Sequence, residues 1–216
     1  MDFATARRKM VDNQVRPNDV TEPLLISALL DIPRERFAPA DRAAMAYMDN
    51  DLVIGDGRAL LKPMVLARLI QAADIQDTDH VLDVACGTGY STAVLARLAH
   101  SVTGLEENPT LAAQAARLLS DLAVANASVA TGPLAAGWTQ NAPYDVILIN
   151  GAVERIPQVL LTQLKEDGRL LAVVSSGPIG KATIYQRVAG DISTQPVFDA
   201  AAPLLKDFVK PPEFVF

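Results

Sequence analysis

"VLDVACGTGY", residues 81 to 90, is an apolar run that meets a two-glycine loop and then opens into a helical pattern. Beginning at His80, the run "HVLDVA" has no polar alternation, so it suits a strand buried on both faces of a parallel sheet. Gly87 and Gly89 allow the backbone to approach a ligand where a Cβ would collide, and the helix start beyond them offers unpaired N–H groups. A tight strand-to-helix turn with no ligand would use the same glycines. The surrounding residues must decide between the two readings.

Downstream, the short apolar runs "SVTGLE", "ASVAT", "YDVILIN" and "RLLAVVS" are separated by "STAVLARLA", "LAAQAARLLSDL" and "PQVLLTQL", which have helical periodicity. Alternating strands and helices predict an α/β fold with a doubly wound sheet. After residue 176, "ATIYQRV" and the tail "FDAAAPLLKDFVKPPEFVF" are expected to supply two closing strands. Upstream, helices are predicted over residues 3 to 14, around Leu24, Leu25, Ala28 and Leu29, and over 63 to 73, where Pro63 is tolerated in the first turn. Pro33 and Pro39 end the second of these. The expected organisation is a single domain over 1–216, with a helical leader and substrate-side loop in 1–75 and a Rossmann-like core in 76–216.

Bulk properties narrow the function. Half of the 216 residues are apolar and the formal charge is −6, which works against sequence-independent binding to phosphate backbones. Arg7, Arg8 and Lys9 form the one basic cluster, a short helical face. Cys86 is the single cysteine, consistent with a reducing compartment. With only His80 and His100 beside it, no zinc-ligand spacing exists and no metal is expected. Neither a signal peptide nor a membrane span of roughly 20 apolar residues is present, so the expected location is the cytoplasm.

Asp83 helps to choose the ligand. A carboxylate at the end of the first core strand would repel a dinucleotide pyrophosphate and attract the ammonium of an amino-acid moiety. This favours S-adenosyl-L-methionine over NAD, and Thr92 stands where the dinucleotide fingerprint wants its third glycine. Asp83 as a capping partner of the next helix is the alternative. Glu106 ends the second core strand and can accept hydrogen bonds from ribose hydroxyls; it is favoured over Glu107. Cys86 lies inside the loop with no histidine nearby in sequence, so it reads as a small filler rather than a nucleophile. After the fourth core strand, Asn150-Gly151-Ala152 lacks the Asn-Pro-Pro-aromatic motif of methyltransferases that act on base amino groups.

From about residue 10 to residue 172 the chain resembles the protein-L-isoaspartate O-methyltransferase family. The likeness is carried by "IPRERF" (32 to 37), "AYMDNDLVIGDG" (46 to 57), "VLDVACGTGY" (81 to 90), Gly137-Trp138, "PYDVIL" (143 to 148) and the Pro157, Leu160, Gln163, Leu164, Gly168 pattern. It implies a seven-stranded Rossmann-like sheet, S-adenosyl-L-methionine as cofactor, and methyl transfer to the carboxylate of L-isoaspartate in a peptide or protein. The implied cofactor contacts are Asp83, Ala85, Gly87, Thr88, Gly89, Glu106 and Gly132.

Two departures stand out. Where the family reads Thr-Ile-Ser-Gln-Pro, with the serine in the active site, this chain reads Ala59-Leu60-Leu61-Lys62-Pro63. The loop "GDGRALLKP" (55 to 63) thus resembles an active-site rim whose hydroxyls are gone, and Leu61 and Lys62 are the substrate-side candidates. Lys62 either supplies a positive charge to the acceptor or covers the apolar rim with its stem. The family's Gly-Asp after the third strand is Gly132-Pro133 here, which removes an acidic contact near the adenine. The expected activity is a reduced or altered carboxylate O-methyltransferase; a non-catalytic cofactor-binding or regulatory module on the same fold is the alternative.

Overall fold

The computed structural model describes residues 2–175 and 179–210. A separate hairpin of β1 (Leu52–Gly55) and β2 (Arg58–Leu60) precedes the main sheet. That sheet has seven strands: β3 (His80–Val84), β4 (Ser101–Glu106), β5 (Ala127–Thr131), β6 (Tyr144–Val153), β7 (Leu164–Val174), β8 (Gly180–Val188) and β9 (Asp191–Ala200). Their order is β5-β4-β3-β6-β7-β8-β9. The first five strands in that order pair parallel, and β8 and β9 close the sheet antiparallel.

The doubly wound core follows the sequence reading, with one correction at its end. The last strand begins at Asp191, upstream of the tail expected to form it. Pro203 and its neighbours instead run beside the end of β6, where Ala152 N donates to Pro203 O at 2.7 Å and Leu205 N to Ala152 O at 2.9 Å. Leu205 and Phe208 are buried by this return. Residues 211–216 of that tail lie outside the described residues.

In the leader, α1 (Phe3–Met10) runs on into a wider turn over Val11–Val15, followed by α2 (Pro23–Asp31) and α3 (Pro63–Ala72). Prolines occupy the first turns of α2 and α3, where a missing N–H costs nothing. Met10, Val11, Leu25, Leu29, Val65 and Leu69 join one apolar cluster with Val81, Val102 and Val146 of the sheet. The leader therefore covers one face of the sheet and does not stand apart. Arg7 turns inward to Leu30 O, at 3.1 Å, and to the Tyr47 hydroxyl and Glu35, so the expected basic face is broken.

The 55–63 loop is more ordered than its glycines suggest. Asp56 and Gly57, with φ of 48° and 70°, make the two-residue turn in which both central residues have positive φ, which matches the twist of a hairpin. β1 and β2 pair Leu52 with Leu60 and Gly55 with Arg58. This hairpin lies over the carboxyl ends of β3 and β4.

Candidate active site

The order of the sheet reverses between β3 and β6, which run parallel to each other, and such a switch point opens a crevice at the strands' carboxyl ends. β3 delivers Asp83 there, β4 delivers Glu106 and β6 delivers Asn150. Between them, the chain turns from β3 into α4 (Tyr90–Leu95) through Ala85, Cys86, Gly87, Thr88 and Gly89. Ala85, Gly87 and Gly89 have φ of 60°, 56° and 90°. A Cβ on Gly89 would sit 3.1 Å from the Ala115 side chain of α5 (Pro109–Asp121). The second glycine is thus needed for packing as well as for its backbone.

Asp83 is wholly buried. Its Oδ2 accepts from Ser91 Oγ at 2.7 Å and Thr92 Oγ1 at 2.6 Å, and its Oδ1 accepts from the Asn150 amide. Burial pushes its carboxyl up to about 6, against the lowering effect of these three bonds. Thr92, which sits where a dinucleotide site wants glycine, is therefore an Asp83 partner. Cys86 is buried and its thiol is pushed well up by the same desolvation, as suits a filler.

Leader and loop are joined at this point. The Thr88 hydroxyl donates to Phe37 O at 2.7 Å, and the Phe37 ring meets the Tyr90 ring edge-on at 5.5 Å. Arg34, fully buried, lies over Tyr90 at 4.8 Å and donates to Ala46 O at 2.6 Å and Leu61 O at 2.8 Å. "IPRERF" and the glycine loop are thus two halves of one packed contact. Leu61 is 2% exposed; its side chain is part of the core, while the Lys62 backbone N–H is taken by Asp51 at 2.8 Å.

Sequence reasoning passes over Arg58. Its Nε lies 3.2 Å from each carboxylate oxygen of Glu106, and its Nη2 lies 2.6 Å from Glu107 Oε1. Gly87 N and Asn108 N each donate to Glu106 from 3.0 Å. A signal for this exists: a lone arginine directly after the Asp-Gly turn needs an acidic partner once buried, and Glu106-Glu107 is an adjacent acidic pair. Further along, Gly132 follows β5 beside the Trp138 ring, which a Cβ there would approach to 3.2 Å.

The donors and acceptors at the crevice suit an amino acid linked to a ribose: one carboxylate on each of two adjacent strands, with a glycine loop between. Space is scarcer. The cavity bounded by Leu60, Leu61, Ala85, Tyr90, Ser91 and Asn150 holds about 10 Å³, close to what one water requires. A hollow of about 710 Å³ lies at the opposite, amino ends of the strands, lined by Thr21, Gln71, Asp74 and Leu98, away from all of these groups.

A family model described as protein-L-isoaspartate (D-aspartate) O-methyltransferase matches residues 5–199. The chain belongs to that family. It is 36% identical to the protein-L-isoaspartate O-methyltransferase of Gloeobacter violaceus over 94% of this chain and 100% of that one. To protein-L-isoaspartate O-methyltransferase 1 of Rhodopseudomonas palustris it is 37% identical over 86% of this chain and 74% of that one. Among solved structures, a protein-L-isoaspartate O-methyltransferase aligns with a TM-score of 0.80 at 23% identity, covering 92% of this chain and 65% of that longer one. A Plasmodium falciparum structure described as a member of the same type, in complex with S-adenosyl-L-homocysteine, aligns with a TM-score of 0.78 at 18% identity over 93% and 98%. At these identities the structural matches speak for the fold. Members of the family are S-adenosyl-L-methionine-dependent methyltransferases, and no helix among the described residues is long and apolar enough to cross a membrane.

Proposed function

We propose that this family member binds S-adenosyl-L-methionine across the carboxyl ends of β3 and β4 and methylates a peptide or protein carboxylate in the cytoplasm. One observation carries the reading: Asp83 and Glu106 end neighbouring parallel strands on either side of the Gly87–Gly89 turn, at the switch point of the sheet. The formal charge of −6 supports a protein acceptor over a nucleic acid.

Bound there, the cofactor supplies an electrophilic sulfonium methyl. The chain's own work is binding, orientation and exclusion of water, because an acceptor carboxylate is already ionised at neutral pH and needs no general base. Asp83 Oδ1 accepts from Asn150 alone among the described residues and keeps a lone pair for an ammonium. Glu106 is the acceptor for ribose hydroxyls, and Ala85, Gly87, Thr88, Gly89 and Gly132 form the backbone wall. Leu61 and Lys62 border the acceptor side.

Isoaspartyl repair itself is reduced, since Leu61 offers no hydroxyl to the acceptor. Losing a hydrogen bond to a charged group costs on the order of 1.5 to 3 kcal/mol, or roughly 10- to 150-fold in rate. The hydroxyl-free loop, with Leu61 buried in the core, favours a second reading, a cofactor-binding or regulatory module without turnover. Methyl transfer to an isoaspartyl peptide by the wild type and by the combined Ala59→Thr, Leu61→Ser, Lys62→Gln variant separates them. A slow wild type accelerated by the triple change supports an enzyme altered at its rim. Cofactor binding without transfer by either protein supports the regulatory module.

A further inference from the structure

The β1–β2 hairpin places groups of this chain where the cofactor's ribose and amino-acid portion would lie. A carboxylate offers about four acceptor sites. At Glu106, Oε1 takes Arg58 Nε and Asn108 N, and Oε2 takes Arg58 Nε and Gly87 N, at 3.0 to 3.2 Å. Three N–H donors share these sites, the single Nε–H of Arg58 being bifurcated between the two oxygens and lying across both of them. Arg58 and Glu106 side chains are 3% and 0% exposed, so with the hairpin in place the remaining acceptor capacity of Glu106 is closed to solvent and to a ligand.

Three further contacts fasten the hairpin. Glu107 Oε1 receives Arg58 Nη2 at 2.6 Å, and Asp56 at the hairpin tip accepts from Asn108 Nδ2 at 2.9 Å. Ile54 of β1 presses on the glycine loop, since a Cβ on Gly87 would lie 2.6 Å from its Cδ1. The adjoining cavity of about 10 Å³ compares with roughly 300 to 1,000 Å³ in ordinary small-molecule sites.

We infer that Arg58 is a residue of the cofactor site that competes with the ribose diol for Glu106, so that the β1–β2 hairpin must release this latch before the nucleoside can seat. The inference rests on the cofactor reading above. A protein whose competent state is a fraction of the whole shows its intrinsic dissociation constant divided by that fraction. Loosening the latch raises the fraction, and with it both the association rate and the affinity, while the dissociation rate changes little. The ligand class is thereby narrowed: the competition concerns the vicinal hydroxyls of a ribose, not the sulfur or the amino acid.

The test is calorimetric and stopped-flow binding of S-adenosyl-L-homocysteine to the full chain as wild type, Arg58→Gln and Glu107→Gln. Glu107→Gln loosens Arg58 through the outer, half-exposed ion pair and leaves Glu106 intact, so it keeps the test valid if Arg58→Gln folds poorly. The expected result is an affinity gain of at least about tenfold for Arg58→Gln and a smaller gain for Glu107→Gln, both carried by the association rate. The 2′-deoxyribose analogue should gain less than the parent ligand. Affinities equal to wild type, or weaker in both variants, would show that Arg58 is neutral or grips the ligand, and would overturn the inference while leaving the cofactor reading intact. Binding by none of the three proteins would overturn both.

Discussion

Arg58 Nε is equidistant, at 3.2 Å, from the two carboxylate oxygens of Glu106, in a setting from which solvent is almost excluded. Removing one member of such a pair strands the other in a low-dielectric site, whereas removing both does not. A double-mutant cycle with Arg58→Gln and Glu106→Gln, measured by urea denaturation, should therefore give a coupling energy of about 1 to 3 kcal/mol. Additive single effects would mean that the pair is not closed in solution.

Asp83 makes stability depend on acid pH in an unusual direction. Its carboxyl rises from an ordinary 3.8 to about 6 on folding, so between those values the native state binds more protons than the unfolded chain. Stability from this group is thus greatest below pH 4 and declines as pH rises through 6, by roughly 3 kcal/mol in all. Urea midpoints for the wild type and Asp83→Asn across pH 4 to 7 measure it: the wild type should lose stability relative to the variant as pH rises. A constant difference would argue against an elevated Asp83.

Arg34 holds the leader to the loop. It is fully buried with no carboxylate bonded to it among the described residues, and its Nη1 has no hydrogen-bond partner there. Arg34→Met keeps the stem against Tyr90 but strands the carbonyls of Ala46 and Leu61, at about 1 to 3 kcal/mol each. Part of that loss is offset because a buried charge is also removed. A net destabilisation of about 2 to 4 kcal/mol is expected from thermal and urea melts. A change within about 0.5 kcal/mol, the range of ordinary surface substitutions, would show that the clamp contributes nothing.

Leu61 sits in the core, which bears on any attempt to restore a hydroxyl at the rim. Leu61→Ser should cost about 2 to 5 kcal/mol by loss of transfer energy and creation of a cavity. Leu61→Ala should cost nearly as much. Denaturation curves for the two variants check this, and a loss below about 1 kcal/mol in both would place Leu61 at an open surface.

The apolar runs of the core are legible in the sequence because strands buried on both faces leave no alternation to misread, and the glycine loop because positive φ demands it. Asp83 and Glu106 can be found by their place at strand ends. Arg58 is harder to see because its partner lies 48 residues away, and a cationic side chain within a glycine-rich stretch ordinarily reads as solvated. The Asp56-Gly57 turn does carry a local hairpin signal, although the three-residue β2 is too short to show a strand pattern. The tail misleads because the apolar residues around Pro203 read locally as a closing strand. Their burial depends on the long-range pairing of Ala152 with Leu204, which only the fold supplies.

Titration of the purified chain with S-adenosyl-L-methionine and, separately, with NAD tests the cofactor site most directly. Saturable binding of S-adenosyl-L-methionine at a single site is predicted, weakened in the wild type by the Arg58 latch, with no binding of NAD. Absence of S-adenosyl-L-methionine binding by folded protein, in both the wild type and Arg58→Gln, would contradict it.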